Sequence, residues 1–389
     1  HLGDYIYEYP HDGYATEHAA ALGRTFAPDN RGEIITLADY RRRYALYRQD
    51  AALQAVHQQQ LFLVVWDDHE ICNDAWPGGA ENHTPDEGDF SSRKLAALQA
   101  YYEWMPIRPR VQQGEPLYRA VQYGELARLI LLDTRLQGRA EPLDFAKAKD
   151  AAAQRQLLSM VQQADRQLLG QAQQDWLATQ FNEAAGRQCW AILAQQVLMS
   201  RMVFPLEILQ GLAQPAPQLI RQLEQWLTLE QRANSGALLT AAEQQRLQQP
   251  RLPYNLDAWD GYPAAREQVY QAALPLTKPL LVLAGDTHNA WTSTLRAADG
   301  REVGIELATA SVSSPGIESY LKLTAAQAQT LAPLLSALIP ELEQCDVQQR
   351  GYLLLELTAQ QMQAQWWFVS DILQRQYQQT LGMQRTLQV

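Results

Sequence analysis

Cysteine is scarce in this sequence, with three residues, Cys72, Cys189 and Cys345, in a chain of 389. Three thiols cannot form a closed disulfide framework, and no two of them have the two-residue spacing of a zinc or thioredoxin-type pair. Long apolar runs are also missing, since none approaches the ~18 residues that a membrane span needs. We therefore expect neither a disulfide-rich protein nor integral membrane association.

Positive charge is also in short supply. The chain carries 32 Lys and Arg against 43 Asp and Glu, which gives a net charge of −11. Because nucleic-acid surfaces hold phosphates with clustered Lys and Arg, no nucleic-acid-binding surface is evident. The G-x-S-x-G elbow, the Walker loop and G-x-G-x-x-G are missing too, which removes support for serine hydrolases, P-loop enzymes and dinucleotide enzymes. An export signal is not visible at the start.

What the chain does have is apolar runs that end abruptly in polar, mostly acidic, turns. Residues 61–66, 126–132 and 280–284 are such runs, and hydrophobic residues make up 47% of the chain. The runs alternate with helix-period segments at 37–58, 91–104, 166–185, 218–229 and 264–273. Short strands alternating with helices predict an α/β fold whose active site lies at the C-terminal ends of the strands.

The remaining segments complete this outline. Residues 190–199 are predicted to be a further strand, and 352–357 with 363–369 an antiparallel hairpin. Residues 210–253 are rich in Gln and are interpreted as a helical insertion. No convincing boundary divides residues 1–389, so we expect one catalytic domain.

Two residues near the start form the first candidate site. Asp4 and Tyr7 could bind one hard cation, with the carboxylate bridging and the phenolate favouring a ferric-type ion. The alternative is an N-capping aspartate beside a packed tyrosine.

The second candidate site is the acidic turn after residues 61–66. Asp67, Asp68, His69 and Glu70 are adjacent, and Asn73 follows closely as a further metal or substrate contact. Adjacent carboxylates repel, so their placement at one strand end costs free energy unless a cation compensates. His69 could instead donate a proton to a leaving group, since imidazole titrates near neutral pH. A solvated acidic turn is the alternative.

The third candidate site, Asp286 with His288, completes a set. Two ligands separated by one residue at a strand end lie on the same side of the chain. Asp4, Tyr7 and Asp68 join this pair in an oxygen-rich set with one imidazole. That set fits iron, manganese, calcium or magnesium better than a thiolate zinc site.

Two further polar positions accompany the candidate ligands. Arg135 has the planar guanidinium that holds two oxygens of a phosphate or sulfate, although a salt bridge with Asp133 or another carboxylate is equally compatible with the pattern. Asp260 is a possible metal or substrate contact, in a stretch where packing of Trp259 and Tyr262 is the alternative.

At this point the chain resembles a known family, the PhoD-like alkaline phosphatases, a branch of the metallophosphoesterases. Six segments follow in that family's order: HLGDYIYEY, VVWDDHEICNDAW, LLDTR, DAWDGYPAAR, LAGDTHNAW and ELATASVSSPG. The resemblance implies a four-layer α/β/β/α sandwich that hydrolyses small-molecule phosphate monoesters or diesters in a periplasmic or secreted setting. It implies Fe³⁺ and Ca²⁺ as the ions, with Mn²⁺, Mg²⁺ or Zn²⁺ as alternatives.

The resemblance also implies roles for individual residues. Asp4 is the bridging ligand, Tyr7 a ligand of the trivalent ion, and Asp68 stands where related enzymes place an Asn ligand. His69 takes the place of their proton-donating or transition-state-stabilising histidine, and Arg135 holds a phosphate oxygen. The final ligand pair falls on Asp286 and His288, and a histidine ligand of related enzymes falls on Gln195 or Gln196.

The resemblance has one departure and leaves rival functions open. The family's cysteine-containing strand and small β domain precede the first quoted segment, so we predict a catalytic domain that lacks both. A degenerate, calcium-stabilised structural protein is the alternative function. A glycosidase using Asp67 with Glu70 or Asp286 is a third, but it gives Tyr7 and Arg135 no role.

Overall fold

The computed structural model describes residues 1–14, 16, 18–108, 116–147 and 151–389, which form a mixed α/β fold. The helices are α1 (Leu37–Tyr47), α2 (Ala51–Gln59), α3 (Phe90–Trp104), α4 (Ala151–Val161), α5 (Gln171–Arg187), α6 (Leu206–Gly211), α7 (Ala216–Asn234), α8 (Ala241–Leu247), α9 (Pro263–Ala273), α10 (Ile317–Tyr320) and α11 (Ala325–Leu338). The strands are β1 (Arg119–Tyr123), β2 (Ala127–Leu131), β3 (Trp190–Ala194), β4 (Val203–Pro205), β5 (Arg251–Pro253), β6 (Leu280–Ala284), β7 (Ala290–Arg296), β8 (Glu302–Ala308), β9 (Leu342–Asp346), β10 (Arg350–Leu357), β11 (Gln361–Val369) and β12 (Gln379–Gln388).

The largest sheet has seven strands in the order β1-β2-β3-β6-β8-β7-β9. Its centre, β2-β3-β6-β8, is parallel, whereas β1, β7 and β9 pair antiparallel. A second sheet, β10-β11-β12, is antiparallel and contains the predicted terminal hairpin. Because parallel neighbours end at the same edge, the turns that follow β2, β3, β6 and β8 meet there.

Most predicted strands are present, with one exception. Strand β6 coincides with residues 280–284, β2 lies within 126–132, and β3 covers the first half of 190–199. No strand is assigned to residues 61–66 in the part of the chain that the structure describes. The backbone of this segment makes two hydrogen bonds with His1, from Val65 N to His1 O and from His1 N to Leu63 O. Pairing with a single residue is too little for a β-ladder.

The predicted helices differ from the observed ones in their bounds: α5 begins five residues after the predicted 166, and α7 extends beyond 218–229 at both ends. For two other helices, aspartate caps explain the difference. The helix predicted at 37–58 is two helices, since the side chain of Asp50 accepts from Leu53 N and starts α2. Helix α3 is capped by Asp89, which accepts from Ser92 N, so the helix begins at Phe90, one residue before the predicted start.

The core is divided by the seven-stranded sheet. Alternate residues of β3 face opposite sides: Ala191 and Leu193 pack with helices α5, α7, α9 and α11, whereas Trp190 and Ile192 face the three-stranded sheet. Trp366 of β11 belongs to this second cluster. The described elements therefore stack as a helical layer, a large sheet and a small sheet.

Residues 210–253 are largely helical, with α7 and α8. Leu219, Leu223 and Trp226 of α7 are buried in the main core, and α7 packs against α11. The segment is therefore integrated in the core, and its origin as an insertion stays a prediction. No helix in the described ranges is both long and apolar enough to cross a membrane.

Candidate metal centre

The three predicted clusters meet at the carboxyl-terminal edge of the parallel strands. Two sets of residues bring ligand atoms together, and within each set these atoms all lie within 4.8 Å of one another. One set is Asp4, Asp68 and His69, and the other is Asp67, Asp68 and Asp286. These residues are buried or half-buried. Asp68 belongs to both sets, so the geometry suits two neighbouring cations that share a carboxylate. We call Asp4, Asp67, Asp68 and Asp286 the carboxylate cluster.

Two oxygens of this cluster are unsatisfied. Asp4 Oδ1 and Asp67 Oδ2 are buried and have no hydrogen-bond partner among the described residues. A buried polar atom without a partner costs about 1–3 kcal/mol, and more when it is charged. The two oxygens are therefore suited to a cation, and Asp67, which the sequence analysis placed in the acidic turn without naming it as a ligand, joins the candidate ligands.

The backbone of the site is strained. Asp4, Asp74, Asp286 and His288 have φ angles of 56°, 51°, 62° and 58°, in the left-handed region that most side chains avoid. Such strain persists only where the surroundings enforce it, and it concentrates at functional sites. Gly3, with φ of 111°, lets the Asp4 turn approach closely, because a Cβ there would lie 2.3 Å from Asp67 Cβ.

Glu70 holds the first two turns together. Its Oε1 accepts from Tyr5 N at 2.7 Å, and its Oε2 accepts from Asp4 N at 3.1 Å and Asp67 N at 2.8 Å. Burial raises the pKa of Glu70 to about 8. Glu70 is thus an orienting residue, a role that the sequence did not reveal. Since both oxygens already accept from backbone amides, the paired-carboxylate arrangement of a glycosidase is not supported.

His69 is held by a second glutamate that the sequence interpretation missed. His69 Nδ1 lies 2.8 Å from Glu8 Oε2, and Glu8 Oε1 accepts from Asn73 N and Asn82 Nδ2. Burial opposes the charged imidazole, but the carboxylates of Asp68, Glu8 and Asp4 together raise the pKa of His69 well above its usual value. The sequence contains a signal for this role, because Glu8 is the charged residue of the otherwise apolar and aromatic segment at residues 5–9.

His288 has the arrangement of a metal-ligating histidine. Its Nδ1 lies 2.8 Å from Pro315 O and donates to that carbonyl, so Nε2 is the ring nitrogen that faces the carboxylate cluster and would bind an ion after losing its proton. Nε2 lies 3.0 Å from both Asp4 Oδ2 and the hydroxyl of Tyr7. The Tyr7 hydroxyl donates to Asp4 Oδ2 at 3.3 Å. The structure thus brings these three predicted ligands together.

Arg135 is fully buried among the acidic residues. Its Nε donates to Asp67 Oδ1 at 2.5 Å, and its Nη1 donates to both oxygens of Asp257. Its Nη2 lies 3.3 Å from Asp286 Oδ1 and 3.4 Å from Asp68 Oδ1. Every guanidinium nitrogen therefore contacts a carboxylate. The salt-bridge alternative describes this geometry, and the predicted contact with a phosphate requires Nη2 to leave its carboxylates.

The pKa values of the cluster follow from burial and mutual repulsion. Burial raises the pKa of Asp67 well above its usual range, and burial opposed by Arg135 raises that of Asp286 to about 7. Burial acts on Asp68 as well, but Arg135 and His69 lower its pKa below the usual value. Such divergent values in a single cluster are typical of functional sites.

Four residues predicted as metal or substrate contacts have protein partners in this geometry. The Oε1 of Gln195 accepts from Trp259 Nε1 at 3.1 Å, and the Oε1 of Gln196 accepts from the Thr134 hydroxyl at 2.6 Å. Both amide oxygens are therefore occupied by protein donors. Asp260 pairs with Arg266 and accepts from Met202 N. Asn73 donates through Nδ2 to Glu81, which does not engage its Oδ1, so its contact with metal or substrate stays a prediction.

Comparisons with known proteins place this site in a family. The sequence model of the PhoD-like phosphatases matches residues 1–366. Alkaline phosphatase D of Bacillus subtilis (strain 168) is 32% identical over 328 residues, which cover 81% of this chain and 46% of that protein. A solved structure titled "Structure of PhoD" superposes with a TM-score of 0.70 at 27% identity, covering 100% of this chain and 63% of that one.

The chain thus spans about half the length of the curated relative that it matches. The match nevertheless includes the segments that supply Asp4, Asp68, Asp286 and the residues around them. The resemblance inferred from the quoted segments is confirmed, and the chain belongs to the PhoD-like phosphatase family.

Proposed function

We propose that this protein hydrolyses phosphate esters with metal ions held by the carboxylate cluster. The observation that carries the proposal is the convergence of Asp67, Asp68 and Asp286, whose ligand atoms lie within 4.8 Å of one another, together with the unpaired buried oxygens of Asp4 and Asp67. Membership of the PhoD-like phosphatases and the activity in the name of the Bacillus subtilis relative support the same reaction.

The residues present fit the implied ions. Asp4, Tyr7 and His288 offer two oxygens and an imidazole nitrogen, and Asp68 and Asp286 add further carboxylates. When bound, such ions act as Lewis acids that neutralise phosphate oxygens and lower the pKa of water. We propose Fe³⁺ and Ca²⁺, because the phenolate favours a ferric-type ion and the carboxylates of Asp4, Asp68 and Asp286 supply hard oxygen ligands.

His69 is the proposed proton donor. Its Nδ1 contacts Glu8, so its Nε2 is the ring atom left to face the leaving oxygen. Hydrolysis forms a bond between phosphorus and the oxygen of water and breaks the bond to the alcohol. His69 gives its proton to the departing alcohol oxygen and regains one from water. The raised pKa keeps the imidazole protonated for this step.

Arg135 sets the electrostatic background of the reaction. Its single charge offsets several buried carboxylates, so these oxygens stay close together before any ion binds. We also propose the four-layer α/β/β/α arrangement and the periplasmic or secreted setting that the family resemblance implies. Small phosphate monoesters or diesters are the proposed substrates.

The rival function is a calcium-stabilised protein without catalysis. The position of His69 argues against it, because this histidine is fixed by a buried glutamate beside the ligands although a structural calcium site needs only oxygen ligands.

Elemental analysis with turnover measurements tests the proposal. We expect the purified protein to contain metal and to cleave p-nitrophenyl phosphate or bis-p-nitrophenyl phosphate, with activity lost on chelation and restored on reloading. Bound metal with no turnover of either ester would favour the structural rival. Turnover that survives complete removal of metal would contradict the proposed mechanism.

A further inference from the structure

A row of aromatic rings connects buried His69 with the protein surface. The ring of Tyr14 stacks with that of His69 at a centroid distance of 6.4 Å and an angle of 13°. Tyr14 stacks on Tyr320 at 6.5 Å and 12°, and Tyr9 lies 5.5 Å from His69. His69 is 8% exposed, whereas Tyr320 is 71% exposed. We call Tyr9, Tyr14 and Tyr320 the aromatic row.

The same turns that carry the candidate ligands fix this row. The hydroxyl of Tyr14 donates to Pro315 O at 2.5 Å, the carbonyl that also contacts His288. Tyr320 ends helix α10, whose first amide, Ile317 N, donates to Asn289 Oδ1 at 3.0 Å. The row is therefore positioned relative to the carboxylate cluster before any ligand binds.

Burial does not account for the outer end of the row. An aromatic ring gains its stabilising effect from surface removed from water, and Tyr320 keeps most of its surface in solvent. Exposed apolar groups next to convergent buried polar groups are typical of ligand sites.

We propose that the aromatic row is the subsite for the leaving group, and that the preferred substrates are phosphate esters of planar or aromatic alcohols. This inference rests on the proposed function, because the phosphate must lie at the carboxylate cluster. His69, at the inner end of the row, faces the leaving oxygen, and the organic group extends past Tyr14 to stack on Tyr320. Offset stacking of this kind is the arrangement that aromatic pairs prefer.

Substrate selectivity tests the subsite in the metal-loaded protein. In Tyr320→Ala we expect KM for 2-naphthyl phosphate to rise about five-fold, while KM for methyl phosphate stays unchanged. Tyr320→Phe keeps the ring and should retain the wild-type KM. Tyr123→Ala removes an exposed tyrosine at the end of β1, which pairs with the first residue of β2 and so lies away from the carboxyl ends of the parallel strands, and it serves as the matched control.

Equilibrium binding separates failure of the subsite from failure of the proposed function. Calorimetry with 2-naphthylphosphonate and methylphosphonate, which are not hydrolysed, should show tighter binding of the naphthyl compound to wild type, lost in Tyr320→Ala. Equal affinity of wild type for both would overturn the subsite. If neither ester is cleaved but the naphthyl preference holds, the subsite stands and the proposed hydrolysis fails.

Discussion

Buried carboxylates occur in two regions of this molecule, and the two regions differ in whether every carboxylate oxygen has a hydrogen-bond partner. In the carboxylate cluster, Asp4 and Asp67 each keep one oxygen without a partner. In a second region, which we call the inner charge network, Asp260 and Glu306 have partners for both carboxylate oxygens. Asp260 accepts from Arg266 and Met202 N, and Glu306 accepts from two backbone amides of the turn after β3.

The difference separates charge that maintains the fold from charge that serves a ligand. The inner charge network lies as deep as the carboxylate cluster, since Glu306 is fully buried and Asp260 is 6% exposed. Its backbone has no left-handed residue, whereas Asp4, Asp286 and His288 of the metal centre do. Burial alone therefore does not identify the site. Unpaired oxygens combined with backbone strain do.

The largest expected effect comes from a ligand of the cluster. Asp4→Asn should lower turnover by about 1,000-fold or more and remove metal, because the neutral amide replaces the proposed bridging carboxylate. Metal-free stability should change little, because Asn still accepts from Tyr7 and His288 and one repulsive charge is gone. Elemental analysis, turnover and urea unfolding of the chelated protein measure these three quantities. Full metal content in Asp4→Asn would contradict the ligand role.

His69→Asn should separate catalysis from metal binding. We expect turnover to fall by about 100-fold to 1,000-fold, which is the range of a lost general acid, while metal content is retained. The measurement is the same pair of assays. Glu8→Gln is the companion variant, and it should give a smaller loss because the imidazole loses only its orienting carboxylate. Loss of metal in His69→Asn would make this residue a ligand.

The inner charge network should show the reverse behaviour. Asp260→Asn should lower the free energy of unfolding by about 3 kcal/mol, because buried Arg266 loses its charged partner, and it should leave metal content unchanged. Urea unfolding measures the change. The control is Asp299→Asn, which breaks an exposed pair with Arg301 and should leave the free energy of unfolding close to the wild-type value. Equal losses in both variants would contradict the distinction between structural and ligand charge.

The smallest effect is a pH dependence of the metal-free protein. The pKa values of Asp286, Glu70 and Asp74 are raised to about 7, 8 and 8, chiefly by burial. The folded pKa values exceed the unfolded ones of about 4. The contribution of these groups to the free energy of unfolding is therefore full below about pH 4, and it has been lost once the pH has risen through 7 to 8. We expect the Tm of the chelated protein to fall as the pH is raised from about 4 to 8, and the Tm of the metal-loaded protein to fall less over the same range. Identical slopes would contradict the cluster's need for cations.

Much of this molecule could be predicted from the sequence where the signal is local. Strands β2 and β6 follow from apolar runs, and Asp68 and Asp286 were singled out because they come directly after such runs. The sequence predicts a single helix at 37–58 because the apolar periodicity is continuous there. In the structure the side chain of Asp50 caps a second helix and interrupts it. The prediction of a strand at 61–66 was wrong, because a strand forms only where neighbouring strands pair with it and not from its own hydrophobicity.

The sequence by itself determined which residues carry carboxylate, imidazole or phenol groups that can bind an ion, and which turns contain them. The tertiary structure decided which of them are free to use it. Gln196 is occupied by Thr134, 62 positions away, and Asp257 contacts Arg135 over 122 positions, whereas Asp67 keeps an open oxygen. Partners this distant in sequence leave no local pattern. Whether a buried polar atom is satisfied depends on the atoms around it in space, so only the folded chain separates ligands from scaffold.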